Sequence, residues 1–152
     1  MSIWNIMRIG ASALNAQRLR LDVIANNIAN VETTHTEKGG PYRRQDVVFT
    51  PQGQVNPGPQ FAAAARAEGL AATPLKMGGV AVSKIVTDDE PGPRVYDPTH
   101  PDADEEGYVE YPNVNLVVEM TNMLSASRSY EASLSVIEAA RQMALQALNI
   151  GR

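Results

Sequence analysis

The densest group of side chains able to do chemistry lies between residues 97 and 107. Asp102, Asp104 and Glu106 alternate and are followed by Gly107. This is the spacing of the first half of an EF-hand loop, where ligands at alternate positions precede an invariant glycine. The second half fails: the twelfth position is Asn113, which supplies no bidentate carboxylate, and Pro98 and Pro101 bar an entering helix. His35 and His100 are the two histidines, and His100 sits among Asp97, Asp102 and Asp104. Two ligand types in a proline-rich loop specify no metal site. A solvated acidic turn is the expected structure, and no metal or cofactor is expected.

Other reactive groupings are equally incomplete. Serines 125, 127, 129, 133 and 135 fall in a helical pattern without a G-x-S-x-G elbow, so they read as small residues that allow close helix packing. There is no G-x-x-x-x-G-K-[ST] run to cradle phosphate, and no cysteine to act as nucleophile, zinc ligand or disulfide. Nothing assembles a nucleophile, a base and an orienting group, so no enzyme and no small-molecule substrate are expected. A net charge of −4 and a pI near 5.1 argue against binding nucleic acid by phosphate neutralisation. Arg43 and Arg44 beside Tyr42 form the densest basic spot, and contact with an acidic neighbouring subunit, through its 88–106 region, is the expectation for them.

The elements that would carry these residues follow from where proline and charge fall. All ten prolines lie between Pro41 and Pro112, and residues 36–115 hold seven basic against twelve acidic residues. Segments 1–35 and 116–152 are proline-free, with net charges of +1 and 0. Three regions are expected: an N-terminal helix over 1–35, a β-rich and loop-rich centre over 36–112 with an Ala/Pro-rich insert at 51–74, and a C-terminal helix over 113–152. Arg8, Arg18 and Arg20 interrupt the N-terminal apolar pattern, so a cleaved signal peptide is not expected. The longest uncharged run, 47–65, holds three prolines and is too polar to span a bilayer.

Both ends carry heptads. In the first, Met7, Leu14, Leu21 and Ile28 recur every seven residues, beside a row of Ile3, Gly10, Gln17, Ile24 and Val31. This helix is expected to stop near Asn30, because asparagine tolerates a left-handed cap. In the second, Leu116, Met123, Tyr130, Ile137 and Ala144 form one row and Met120, Ser127, Leu134, Arg141 and Leu148 the other, with Asn113 or Asn115 as cap. Isolated helices gain most of their stability from packing, so the two seams are expected to pair with each other or with other subunits. An antiparallel pairing matches rows when residue numbers sum to about 151: Leu14 with Ile137, Leu21 with Tyr130, Ile28 with Met123. The centre reads as strands at 45–50, 79–87, 94–96 and 108–111, forming a small antiparallel unit. The fold class expected is α+β, a coiled-coil-like hairpin of terminal helices around a small β-rich insert.

The segments SALNAQRLRLDVIANNIANVETT (12–34) and GGPYRRQDVVF (39–49) resemble the N-terminal signature of the rod, hook and axial proteins of the bacterial flagellum. VYDPTHPDADEEGYVEYPNVN (95–115), the EM…M…ASRSYEA pattern (119–132) and QMALQALNIGR (142–152) are similar to proximal-rod members, and the likeness covers nearly the whole chain. The chain departs from the pattern in its longer, Ala-rich 51–74 stretch and in Leu116 and Ser133, where proline and asparagine are expected. The resemblance implies a structural rod subunit of the basal body, exported by the flagellar type III apparatus without a cleaved signal and assembling helically in the periplasm. It implies self-association and contact with proximal and distal rod subunits and with the export/MS-ring junction. It also implies terminal helices that line the export channel and fold on assembly. The interface expected from the seams and this likeness comprises Leu14, Leu21, Ile24, Asn26, Asn27, Ile28, Asn30, Val31, Arg43, Arg44, Met120, Met123, Tyr130, Leu134, Ile137 and Leu148. Simple helix capping is the bland alternative for Asn26, Asn27 and Asn30. A soluble coiled-coil adaptor with a partner-binding β insert is the alternative function, and a small hydrolase using the 97–106 carboxylates a third.

Overall fold

A computed structural model describes residues 3–37, 39–53 and 78–150. Most of the expected 51–74 insert falls outside the described residues. The chain runs α1 (Ile3–Ala29), β1 (Gln45–Pro51), β2 (Val80–Thr87), β3 (Arg94–Tyr96), β4 (Tyr108–Glu110) and α2 (Leu116–Ile150). The α+β class and the two long terminal helices are as the sequence implies. The β centre differs: it forms two separate two-stranded sheets, β1 with β2 and β3 with β4.

The helix ends are set by asparagine side chains. Asn115 Oδ1 accepts the N–H groups of Val117 and Val118 at 3.0 and 3.2 Å and so starts α2, satisfying two amides that have no partner within the helix. Asn30 closes α1, but not as expected. No described residue other than glycine has positive φ. Instead the Asn30 amide donates to Asn26 O and Oδ1 at 2.8 and 2.9 Å, a side-chain closure that needs no left-handed residue. Beyond it, Gly39 and Gly40 at φ of 82° and 75° form the tight turn that returns the chain toward β1.

Two compact units divide the chain. Among the described residues, unit 1 holds 3–16, 49–53, 78–82 and 132–150, and unit 2 holds 17–37, 39–48 and 83–131. In unit 1, Ala16 and Ala140 are buried, and a methyl group on Gly10 would lie 2.6 Å from Cγ1 of Ile137. That close approach is open only to glycine at this position. In unit 2, Val23, Ile24, Val47, Val109 and Ala126 are buried. Antiparallel pairing sets Arg94, Val95 and Tyr96 opposite Glu110, Val109 and Tyr108. Strand alternation turns Val109 inward and leaves Tyr108 outside against the edge of Tyr96 at 5.3 Å.

The helical rows require a correction. On α2, Met123, Tyr130, Ile137 and Ala144 are half-buried as expected. Their partner row is Glu119, Ala126, Ser133 and Ala140, of which Glu119, Ala126 and Ala140 are fully buried. Met120, Leu134 and Leu148, expected on a seam that pairs with the other helix or with other subunits, are exposed in the single chain. Small residues were favoured inside because interaxial distance follows side-chain size, and a row of alanine and serine permits a close approach. The register shifts as well. Gly10 and Ile137, in unit 1, sum to 147, and Asn27 and Glu119, in unit 2, sum to 146, rather than the 151 that matched the large apolar residues.

Candidate functional site: a buried polar clasp

The most completely engaged polar group of unit 2 is Asn27, with 0% of its surface exposed. Its position on α1 turns it inward, four residues from Val23 on the same face. The amide nitrogen donates to Gln45 O at 2.8 Å and to Glu119 Oε2 at 3.0 Å. The amide oxygen accepts from Gln45 N–H at 3.0 Å and from the Tyr42 hydroxyl at 2.9 Å. Two donors and two acceptor sites are thus all engaged, which is the whole capacity of an asparagine. One side chain thereby ties α1, the first residue of β1 and α2.

Glu119 is 1% exposed. A buried carboxylate is costly unless ion-paired and hydrogen-bonded, and here it is both. Arg44 Nε donates to Oε1 at 2.9 Å, Asn122 adds a longer bond at 3.3 Å, and Asn27 takes the second oxygen. Burial alone would lower the Arg44 pKa, but the Glu119 hydrogen bond and charge outweigh it and raise it. The Tyr42 hydroxyl is pushed up by burial and by the Glu119 charge, so it stays a hydrogen-bond donor. Asn113 Oδ1 fixes the Arg44 backbone amide at 3.0 Å. Arg43, next in sequence, pairs with Glu110 at 3.0 Å and donates to Glu90 O at 2.7 Å. Both arginines, expected to reach an acidic neighbouring subunit, hold partners inside their own chain.

The acidic turn resolves into local structure. Asp104 Oδ1 accepts the N–H groups of Tyr108 and Glu106 at 2.8 and 3.0 Å, and its other oxygen pairs with Arg94. These bonds, with backbone hydrogen bonding first among them, hold the Asp104 carboxyl below the usual aspartate value. Asp97 is lowered in the same way by the Thr99 hydroxyl and amide. Asp102 accepts from Thr34 Oγ1 at 2.7 Å. His100 Nδ1 accepts the Asp102 N–H at 3.1 Å, so the lone pair a metal would need is engaged. Among the described residues no three His, Asp or Glu side chains converge as metal ligands.

Of the sixteen residues expected at an interface, the structure brings Asn26, Asn27 and Arg44 into or beside the clasp and Arg43 next to it. It buries Ile24 and half-buries Leu14, Leu21, Ile28, Asn30, Val31, Met123, Tyr130 and Ile137. Met120, Leu134 and Leu148 stand on the outside. Glu119 was missed. Its signal in the sequence was a single charge on an otherwise small-residue heptad row with Ala126, Ser133 and Ala140.

The clasp depends on residues from both ends of the chain, and comparison with known proteins finds both ends. Residues 7–34 match the family described as flagella basal body rod protein, and residues 105–150 match the flagellar basal body rod FlgEFG protein C-terminal family. The flagellar basal-body rod protein FlgC of Borreliella burgdorferi is 46% identical over 99% of this chain and 98% of its own length. FlgC proteins of Escherichia coli O157:H7 and Bacillus subtilis are 41% and 38% identical, each over 100% of both chains.

The chain belongs to the FlgC family of flagellar basal-body rod proteins. As a member it is a structural subunit of the rod and resides in the flagellar basal body. Membership in a rod family also carries association with other rod components. The clasp therefore serves a FlgC-family subunit as a means of joining its first and last helices to β1. No helix among the described residues is long and apolar enough to cross a membrane.

Proposed function

We propose that this FlgC-family subunit polymerises helically through the outward face of its terminal helices, contributing to the drive shaft and to the wall of the export channel. The observation that carries the reading is the apolar exterior of α2: Val117, Leu124 and Leu148 are 72%, 62% and 71% exposed, with Met120, Leu134, Met143 and Leu145 also outside. Exposed apolar surface on this scale marks interaction sites. A contact between different faces of successive copies builds a filament when it does not close. In this reading segments 1–35 and 113–152 act as the assembly domain and 36–112 as an acidic appendage. Met120, Leu134 and Leu148, with exposed Asn26, are its outward contacts. The inward residues shape the subunit.

The role is mechanical rather than catalytic, and no nucleic acid or small-molecule substrate enters it. Export through the type III apparatus and seating against proximal and distal rod subunits and the export/MS-ring junction belong to the same proposal. The test is a set of outward substitutions, Met120→Glu, Leu134→Glu and Leu148→Glu, scored for incorporation into isolated basal bodies and for swimming. Loss of incorporation with an unchanged monomer melting curve is expected. Normal incorporation of all three, or a discrete dimer or tetramer whose formation they leave intact, would overturn it in favour of a coiled-coil adaptor.

A further inference from the structure

We propose that Asn27, Glu119 and Arg44 form a register lock, selecting one of two pairings that the apolar heptads of α1 and α2 would otherwise accept. Matching large apolar residues favours the pairing in which numbers sum to about 151, with Leu14, Leu21 and Ile28 opposite Ile137, Tyr130 and Met123. The structure pairs Asn27 with Glu119, a sum of 146. The difference is five residues, about 7.5 Å along the axis or nearly one and a half helical turns.

The polar residues discriminate between these pairings far more strongly than the apolar ones. In the observed register the Glu119 carboxylate meets the Asn27 amide and the Arg44 guanidinium while 1% exposed. In the slipped register Asn27 would face Leu124, leaving without a partner the N–H that Glu119 accepts. Glu119 would face position 32, which is Glu32, setting carboxylate against carboxylate past the end of α1. A single buried polar group can fix helix register in this way because its partners exist in one alignment only. Asn27 adds a second reference, since it binds both N–H and C=O of Gln45 and so holds α1 to a fixed point on β1.

The chain has no cysteine, so introduced pairs report register directly. Val23→Cys with Met123→Cys, a sum of 146, reads the observed pairing. Leu21→Cys with Tyr130→Cys, a sum of 151, reads the slipped one. In the otherwise unaltered chain, purified and in isolated basal bodies, the first pair crosslinks on oxidation and the second does not. Adding Asn27→Leu and Glu119→Leu makes the second pair the major product. Retention of the first pair alone would overturn the proposal. Loss of both would overturn it too, by showing that the clasp holds the helices together without choosing their alignment. A milder background, Asn27→Leu with Glu32→Lys, keeps Glu119 and offers it a lysine in the slipped register from an exposed site. A shift to the second pair is expected there, and persistence of the first would also count against the lock.

Discussion

The two faces of α2 invert the ordinary arrangement of a globular helix. Its inner face buries a carboxylate and small residues, Glu119, Ala126 and Ala140, while its outer face exposes Val117, Met120, Leu124, Leu134, Leu145 and Leu148. The fully buried row of small residues lets the paired helix approach closely, the half-buried Met123, Tyr130 and Ile137 flank it, and hydrogen bonds with a charge pair add specificity at Glu119. An outer face of large apolar residues contributes nothing to the subunit alone. Each such side chain gains about 1.5–3 kcal/mol when fully buried, a gain that requires a neighbour. In the assembly proposed above, the same helix shapes the monomer with one face and joins the polymer with the other.

Substitutions on the inner face should have the largest effect on stability. Glu119→Ala leaves Arg44 and Asn27 without their partner in a buried site, and breaking such a pair typically costs about 3–5 kcal/mol. Urea unfolding should show a loss of that order in unfolding free energy, whereas a loss below about 1 kcal/mol would deny the clasp its role. The outer face should behave in the opposite way. Leu134→Glu or Leu148→Glu should change unfolding by no more than about 0.5 kcal/mol, as surface substitutions usually do, while abolishing incorporation into the rod.

How far each face could be read in the sequence follows the same division. Both helices, the four strands and a cap at Asn113 or Asn115 were legible because periodicity, β-branched runs and proline boundaries are local signals; the structure assigns the cap to Asn115. The rod-protein likeness was legible in ANNIAN (25–30) and in the 95–115 segment. The α2 seam was half legible. Met123, Tyr130 and Ile137 lie on the half-buried side and Met120, Leu134 and Leu148 on the exposed one, a division the apolar pattern does not make because it marks large apolar residues without saying which neighbour covers them. In the proposed assembly, some of them serve other subunits. Glu119 was illegible for the converse reason: a carboxylate reads as solvated until Arg44, 75 residues away in sequence, is seen beside it. The intrachain partners of Arg43 and Arg44, Glu110 and Glu119, were illegible for the same long-range reason.

Two smaller effects sharpen the contrast. Gly10→Ala places a methyl 2.6 Å from Ile137 Cγ1, and overpacking of this kind costs about 1–3 kcal/mol, set against a helix-propensity gain near 1 kcal/mol. A net loss relieved by Ile137→Val is expected in thermal unfolding, and a net gain would mean that the close approach is not a constraint. The smallest effect belongs to the acidic turn. Asp97 and Asp104 have native values below 3.8, so the unfolded chain binds protons first as pH falls. Their contribution is present above about pH 4 and is lost as pH drops through the depressed native values. The protection of the Glu106 and Tyr108 amides, which donate to Asp104, should fall over that window once exchange is corrected for its intrinsic pH dependence. Asp104→Asn should lower it already at neutral pH.

The claim that α2 divides its faces between subunit and polymer is tested most directly by hydroxyl-radical footprinting of the purified chain and of isolated basal bodies. Met120, Leu124, Leu134, Met143 and Leu148 should be strongly oxidised in the free subunit and protected in the rod, while Met123 and Ile137 change little. Equal oxidation of the outer residues in both states would contradict the account.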